Sequence, residues 1–199
     1  MGITAEKREW HYTYKDYREW PDDERWELID GVAYNMSPAP TTPHQGIGLT
    51  IASELRAFLK GKPCQVFIAP CDVFFPRVRE QDEDSVDTVV QPDVLVVCDP
   101  GKILTKGIWG APDLVVEILS PSTSKKDLRE KFDLYERSGV REYWVIEPRA
   151  RWLQVHRLAE GRYASDRSLE EAGEVVSAVL PGFRLDLETV WPVVPGASP

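Results

Sequence analysis

The sequence predicts an α/β (α+β) chain in which strands are interleaved with two principal helices, and three observations predict it. The stretch 111–148 reads as strand, turn, helix, strand. Ile47, Ile51, Leu55, Phe58 and Leu59 recur at helical spacing upstream of it. Short apolar or alternating runs bounded by Asp-Gly, Glu-Gly and proline fill most of the remainder, the pattern of strands and hairpins.

The central stretch carries charge where its pattern calls for apolar residues. From Leu114 to Leu119 every position but Glu117 is apolar, as in a strand covered on both faces. Ser122 or Ser124 can cap the helix that follows, and Gly139 closes it. At about 100° per residue Lys131 falls inside the apolar arc of Leu128, Phe132, Leu134 and Tyr135, Asp127 shares that arc, and Lys126 lies on the polar side. A buried acid and a lysine on a buried stripe read either as a plain ion pair or as parts of one site.

Along the chain, 13–20 reads as a short helix capped by Thr13 and broken at Pro21. The segment 24–38 reads as a hairpin turning at Asp30-Gly31, with Glu27 out of phase with Trp26 and Leu28 and therefore a solvated strand residue. His44 sits in the first turn of the helix that runs to about residue 60, where a capping or surface role is the ordinary reading. Cys64–Phe75 reads as one strand interrupted by Asp72, and Glu80–Asp84 as a solvated hairpin tip without chemistry. A buried strand, Val94–Cys98, starts directly after Asp93, and 101–110 reads as a loop. Past Pro148 comes an alternating hairpin around Glu160-Gly161, then an edge strand or two. The expected organisation is a single domain over 1–191, core about 26–148, with 192–199 a disordered tail. No internal repeat is evident.

Hydrophobic residues make up 42% and charged residues 29% of the chain, a globular composition. The net charge of −9 offers no electrostatic footprint for nonspecific DNA binding, although a metal ion can neutralise a locally acidic site. Cys64, Cys71 and Cys98 show no metal-binding spacing and read as reduced thiols, which together with a charged amino terminus predicts a cytoplasmic protein. No apolar run approaches the ~20 residues of a membrane span.

Asp93 and Glu117 are spaced to lie side by side on neighbouring strands. Two hard carboxylates with room for water and phosphate suit Mg²⁺, and Lys131 could stabilise phosphate charge or activate water.

The words "QPDVLVV", "APDLVVEILSPST" and "DLREKFDLYERSGVREYWVIEP", with "WELIDG" and "PHQ" upstream, resemble the Uma-two family of restriction-endonuclease-like proteins, a branch of the PD-(D/E)xK phosphodiesterases. The resemblance covers roughly 26–148. It implies a restriction-endonuclease-like mixed β-sheet flanked by helices, and Mg²⁺ or Mn²⁺ held by Asp93, Glu117 and the main-chain carbonyl of Ile118. The lysine expected two residues after the acid is Leu119 here, and the resemblance moves it onto the following helix, to Lys131 with Lys126 as runner-up. It also raises Glu27 and His44 to site residues and leaves Asp72 and Asp127 beside them. The expected function is a metal-dependent DNA endonuclease, a homodimer without membrane association. The alternative is a catalytically inactive dimeric scaffold that keeps the fold. RNA or branched DNA stays open as substrate.

Overall fold

The computed structural model describes residues 11–21, 24–36, 40–120 and 127–192, without the side chains of 127, 128 and 165–167. It contains two six-stranded sheets and a two-stranded one. The first sheet begins with β1 (Trp26–Ile29) and β2 (Val32–Asn35), the predicted hairpin. Asp30 and Gly31 both take positive φ (51° and 75°), the turn geometry that Asp-Gly favours. A side chain on Gly31 would collide with the His11 ring.

Helix α1 (Tyr14–Tyr17) is capped by Thr13 as predicted, and α2 (Thr42–Leu59) by Thr41, whose hydroxyl accepts from the His44 main-chain N–H at 3.5 Å. Ile47, Ile51, Leu55 and Leu59 are the buried face of α2.

The single strand expected over Cys64–Phe75 is two strands in different sheets, β3 (Gln65–Ile68) and β4 (Val73–Phe74). Pro70 lies between them and has no N–H to continue a ladder. The acidic stretch does join two antiparallel strands, β4 and β5 (Val89–Val90), as a long connection with a 3-10 turn at Glu83–Ser85. After β6 (Val94–Val97), the expected loop over 101–110 is instead a small hairpin, β7 (Ile103–Leu104) and β8 (Gly107–Trp109), added to the edge of the first sheet. Gly107 there has no room for a side chain, since a Cβ would come within 2.3 Å of the Asp72 carbonyl oxygen.

The second sheet holds the central stretch. β9 (Leu114–Ile118) pairs antiparallel with β6 and parallel with β10 (Glu142–Glu147). β11 (Trp152–Ala159) and β12 (Arg162–Glu170) form the hairpin predicted around Glu160-Gly161. The helix between β9 and β10 departs from the expectation. Asp127–Lys131 winds as a π-helical turn before α3 (Phe132–Ser138), which ends on the left-handed Gly139. Ser122, Ser124 and Lys126 lie outside the described residues, as does the tail beyond Pro192. β13 (Glu174–Val176) and β14 (Arg184–Asp186) make the two-stranded sheet.

The second sheet is covered on both faces. One face packs against α2 and the β13–β14 region around Trp144, Ile146 and Phe183. The other packs against α3 and the first sheet around Leu95, Val115, Tyr135 and Tyr143.

The reduced thiols are corrected by a Cys64–Cys98 disulfide, while Cys71 is free. The β3–β6 register of Gln65↔Val97, carried one step further, sets the two cysteines directly opposite each other. Their separation of 34 residues gives no hint of this in the chain, and the cytoplasmic expectation loses the support it drew from free thiols. No helix of the described residues is long and apolar enough to cross a membrane.

Candidate active site

The five side chains expected at a site converge where the two sheets meet, as two adjoining groups. Glu117 comes from the middle of β9, 3% exposed, and Lys131 from the π turn, 2% exposed. The Lys131 Nζ lies 2.8 Å from Glu117 Oε1 and 3.0 Å from Glu27 Oε1. The solvated reading of Glu27 is therefore wrong, and the residue is 1% exposed. Alternation failed there because β1 sits between β2 and β5 with buried residues on both faces. The Tyr135 hydroxyl donates to the same Glu117 oxygen at 2.6 Å. Burial first, and then the charges of Glu117 and Glu27, push the Tyr135 hydroxyl well above its ordinary range, so it stays a donor.

Asp93 and His44 form the second group. The Asp93 Oδ2 accepts from the Ile118 main-chain N–H at 2.7 Å and faces His44 Nε2 at 3.3 Å. Asp93 is one residue before β6, and the β6–β9 register of Val94↔Val116 sets it opposite Glu117. Opposed residues on antiparallel strands emerge on the same face. Because Ile118 directs its N–H toward β6, the 93/117 position is the closely spaced kind of pair, about 4.5 Å between Cα atoms in regular strands. The Ile118 carbonyl leaves the strand on the side of its own N–H, toward Asp93.

A local two-fold relation explains part of this geometry and isolates the rest. Pro-Asp followed by an apolar strand occurs twice, at Pro92-Asp93 and Pro112-Asp113. Asp113 Oδ2 accepts from the Cys98 N–H at 2.6 Å at the far end of the pair, mirroring Asp93 and Ile118. Each aspartate thus ties the start of its strand to the end of the other. The environments differ, however. Asp113 is neutralised by Arg141, whereas Asp93 stands beside Glu117. The sequence reading passed over this short repeat.

Gln91, which no sequence pattern singled out, joins the two sheets at the site. It lies between β5 and β6, and its main-chain N–H holds Glu27 Oε1 at 2.8 Å. Its side-chain amide donates to Asp72 Oδ1 at 2.8 Å and to the Tyr17 hydroxyl at 3.2 Å. Asp72 therefore meets the Gln91 side chain and not Lys131 among its hydrogen bonds, with its carboxyl raised first by burial. The Asp127 side chain lies outside the described atoms.

Among the described residues no group of three or more His, Cys, Asp or Glu side chains is placed to hold a metal ion. The donors expected from the sequence are Asp93, Glu117 and the Ile118 carbonyl, and the register sets the two acids opposite each other. Two carboxylates and one neutral oxygen suit Mg²⁺ or Mn²⁺, which keep several waters, and do not suit zinc, which prefers nitrogen and sulfur ligands.

The fold and this arrangement define a restriction-endonuclease-like protein. The chain belongs to the Uma2 family, described as "Putative restriction endonuclease", which matches residues 14–188. It is 29% identical over 134 residues to the "Uncharacterized protein slr1290" of Synechocystis sp., a match spanning 66% of this chain and 66% of that protein, so just under two thirds of the relative's length. A crystal structure of a "putative nuclease" from Anabaena variabilis superposes with a TM-score of 0.71 at 19% identity, covering 90% of this chain and 97% of that one. Membership and fold together make the protein nuclease-like.

Proposed function

We propose that the chain is one restriction-endonuclease-like domain that hydrolyses a DNA phosphodiester with Mg²⁺ or Mn²⁺, in the manner of PD-(D/E)xK enzymes. The observation that carries this reading is the inequality of the two Pro-Asp strand starts. Asp113 pairs with an arginine, while Asp93 lies beside His44 and faces a second carboxylate on a shared face, an arrangement that favours a cation between the two acids.

In this reading Asp93, Glu117 and the Ile118 carbonyl hold the ion. When bound, it makes water a better nucleophile at neutral pH and offsets charge building on the phosphate. Lys131 orients the attacking water and supplies positive charge beside it. Glu27 and Tyr135 hold the Lys131–Glu117 pair in one geometry through the contacts given above, and so act as positioning residues. His44, at the amino end of α2, faces the phosphate from the Asp93 side, where main-chain N–H groups also favour an anion. A duplex has two strands and each chain offers one such centre, so the proposed working form is a homodimer, which sedimentation velocity tests directly.

The deciding experiment is Glu117→Gln. The amide keeps an acceptor for Lys131 and Tyr135 while removing the charge, so folding persists and Mn²⁺-dependent cleavage falls by at least about 10²-fold. Unchanged cleavage would remove the assignment.

A second reading, a catalytically inactive dimeric scaffold, is favoured by the net charge of −9 and by the closure of Lys131 onto two glutamates. Calorimetric titration with Mn²⁺ separates the two, and absence of binding at millimolar metal selects the scaffold.

A further inference from the structure

Beside Gln91 a cavity of about 350 Å³ opens between the β3–β4 connection, the β5–β6 connection and the β7–β8 hairpin. Phe67, Cys71, Asp72, Gln91, Leu104 and Lys106 are among its walls. Its volume sits near the lower end of the ~300–1,000 Å³ usual for small-ligand sites, which is room for one nucleoside.

The polar groups of the cavity are arranged for a donor. Asp72 Oδ1 accepts from the Tyr17 hydroxyl at 3.2 Å and from the Gln91 amide at 2.8 Å, and Gln91 Oε1 is taken by Arg25 at 2.9 Å. Those bonds fix the Asp72 carboxyl and leave its Oδ2 without a hydrogen-bond partner among the described residues. The acid is half-buried and opens on the cavity, so an N–H group arriving there finds a fixed acceptor at Oδ2. Phe67 and Leu104 add apolar walls. Lys106, paired with Glu83, brings positive charge to the rim. One residue links this cavity to the reaction centre, because the Gln91 main-chain N–H holds Glu27.

We propose that this cavity receives one unstacked nucleobase bearing an exocyclic amino group, cytosine, adenine or guanine, adjacent to the phosphodiester that is cut. The proposal rests on the phosphodiesterase reading. The cavity is concave, so a base reaches it only out of the helical stack or from a single strand. The amino group of cytosine, adenine or guanine donates to Asp72, whereas thymine has no amino group and offers only a ring N3–H flanked by two carbonyl acceptors that a carboxylate repels.

The test is titration of the wild-type protein with dCMP, dAMP and dTMP in the absence of divalent metal, followed by amide chemical shifts. The expected result is that dCMP and dAMP bind about tenfold more tightly than dTMP and shift the amides of Cys71, Gln91 and Gly107. Asp72→Asn, whose amide can donate to O4, erases or reverses that preference. Leu104→Trp, at an edge position already 39% exposed, blocks all three nucleotides without disturbing the core. Equal affinities for the three nucleotides, no binding, or a preference unchanged in Asp72→Asn overturns the proposal. Mn²⁺-dependent cleavage and its loss in Glu117→Gln judge the enzyme reading separately. Cleavage retained without base preference removes the pocket and leaves the nuclease, whereas no cleavage at all removes the nuclease.

Discussion

Replacing Lys131 by methionine removes a cation that two buried glutamates share. The lysine side chain is 3% exposed, and its Nζ lies 2.8 Å from Glu117 and 3.0 Å from Glu27. At an effective dielectric constant of about 20, each contact at that range carries roughly 5 kcal/mol of attraction. Desolvation of three charges offsets most of it in the folded protein. Methionine fills the space of the lysine stem but leaves the two buried carboxylates without its charge. Breaking a buried pair in this way costs about 3–5 kcal/mol, a large fraction of the ~5–15 kcal/mol that holds a domain together. The glutamates of the variant can escape repulsion by taking up protons in the folded state. Their folded-state protonation is then favoured over that of the unfolded chain, so the variant's deficit grows as pH rises and shrinks as pH falls toward the ordinary carboxylate range. Urea unfolding followed by tryptophan fluorescence measures it, with fully buried Trp144 as a reporter. Adding Glu27→Gln and Glu117→Gln to the same chain should recover most of the loss. A Lys131→Met stability within about 1 kcal/mol of wild type between pH 5 and 8 would refute the buried three-charge arrangement.

Three further outcomes follow from the geometry. Asp93→Asn and Asp113→Asn each weaken one carboxylate-to-main-chain hydrogen bond and should cost a similar ~1.5–3 kcal/mol in urea melts; only Asp93→Asn should also abolish metal-dependent cleavage, and equal loss in both would reduce Asp93 to a strand tie. His156, 6% exposed among Phe132, Tyr143 and Tyr163, has its pKa lowered by burial. The unfolded chain therefore binds that proton first, and stability present above about pH 6.5 is lost as pH falls below it, a slope that His156→Phe should flatten in pH-dependent melts. Reduction of the Cys64–Cys98 bridge, which closes a loop with a sequence separation of 34, should lower stability by about 4 kcal/mol, read as a shift of the urea midpoint between oxidised and reduced samples.

Much of the site was legible because its residues violate the pattern around them. Glu117 interrupts an apolar strand and Lys131 interrupts an apolar helical stripe, and violations of that kind are visible in one dimension. Glu27 was not, because alternation assigns a residue to solvent only when one face of its strand is open, and β1 is covered on both. Gln91 escaped notice for another reason. Its contact with Glu27 is made by a main-chain N–H, and its side-chain amide meets Asp72, Tyr17 and Arg25 only through the fold, so a lone glutamine before Pro92 marks neither in the sequence. Residue composition also misled on the cysteines, since cross-strand register, not spacing, brings Cys64 to Cys98. The helix preceding α3 shows the opposite case. A π turn replaced the regular winding assumed for it, yet Lys131 still faces inward, because the flanking buried residues Leu134 and Tyr135 hold that side of the helix against the sheet.

What the linear chain determined was the identity of the elements and of the residues that do not belong in them. Periodicity, turn chemistry and capping are local, acting over a few residues, so hairpins at Asp30-Gly31 and Glu160-Gly161, the helix capped by Thr13 and the helix carrying Ile47, Ile51 and Leu55 could be read without a partner in space. The tertiary structure alone decided which strands share a sheet, that Asp93 faces Glu117 while Asp113 faces Arg141, and that one lysine answers to two glutamates from different sheets. Those relations depend on register and on the packing of segments about 90 residues apart in the chain, such as Glu27 and Glu117. Long-range burial then sets the electrostatics, because a charge removed from water must be answered by whatever the fold brings beside it.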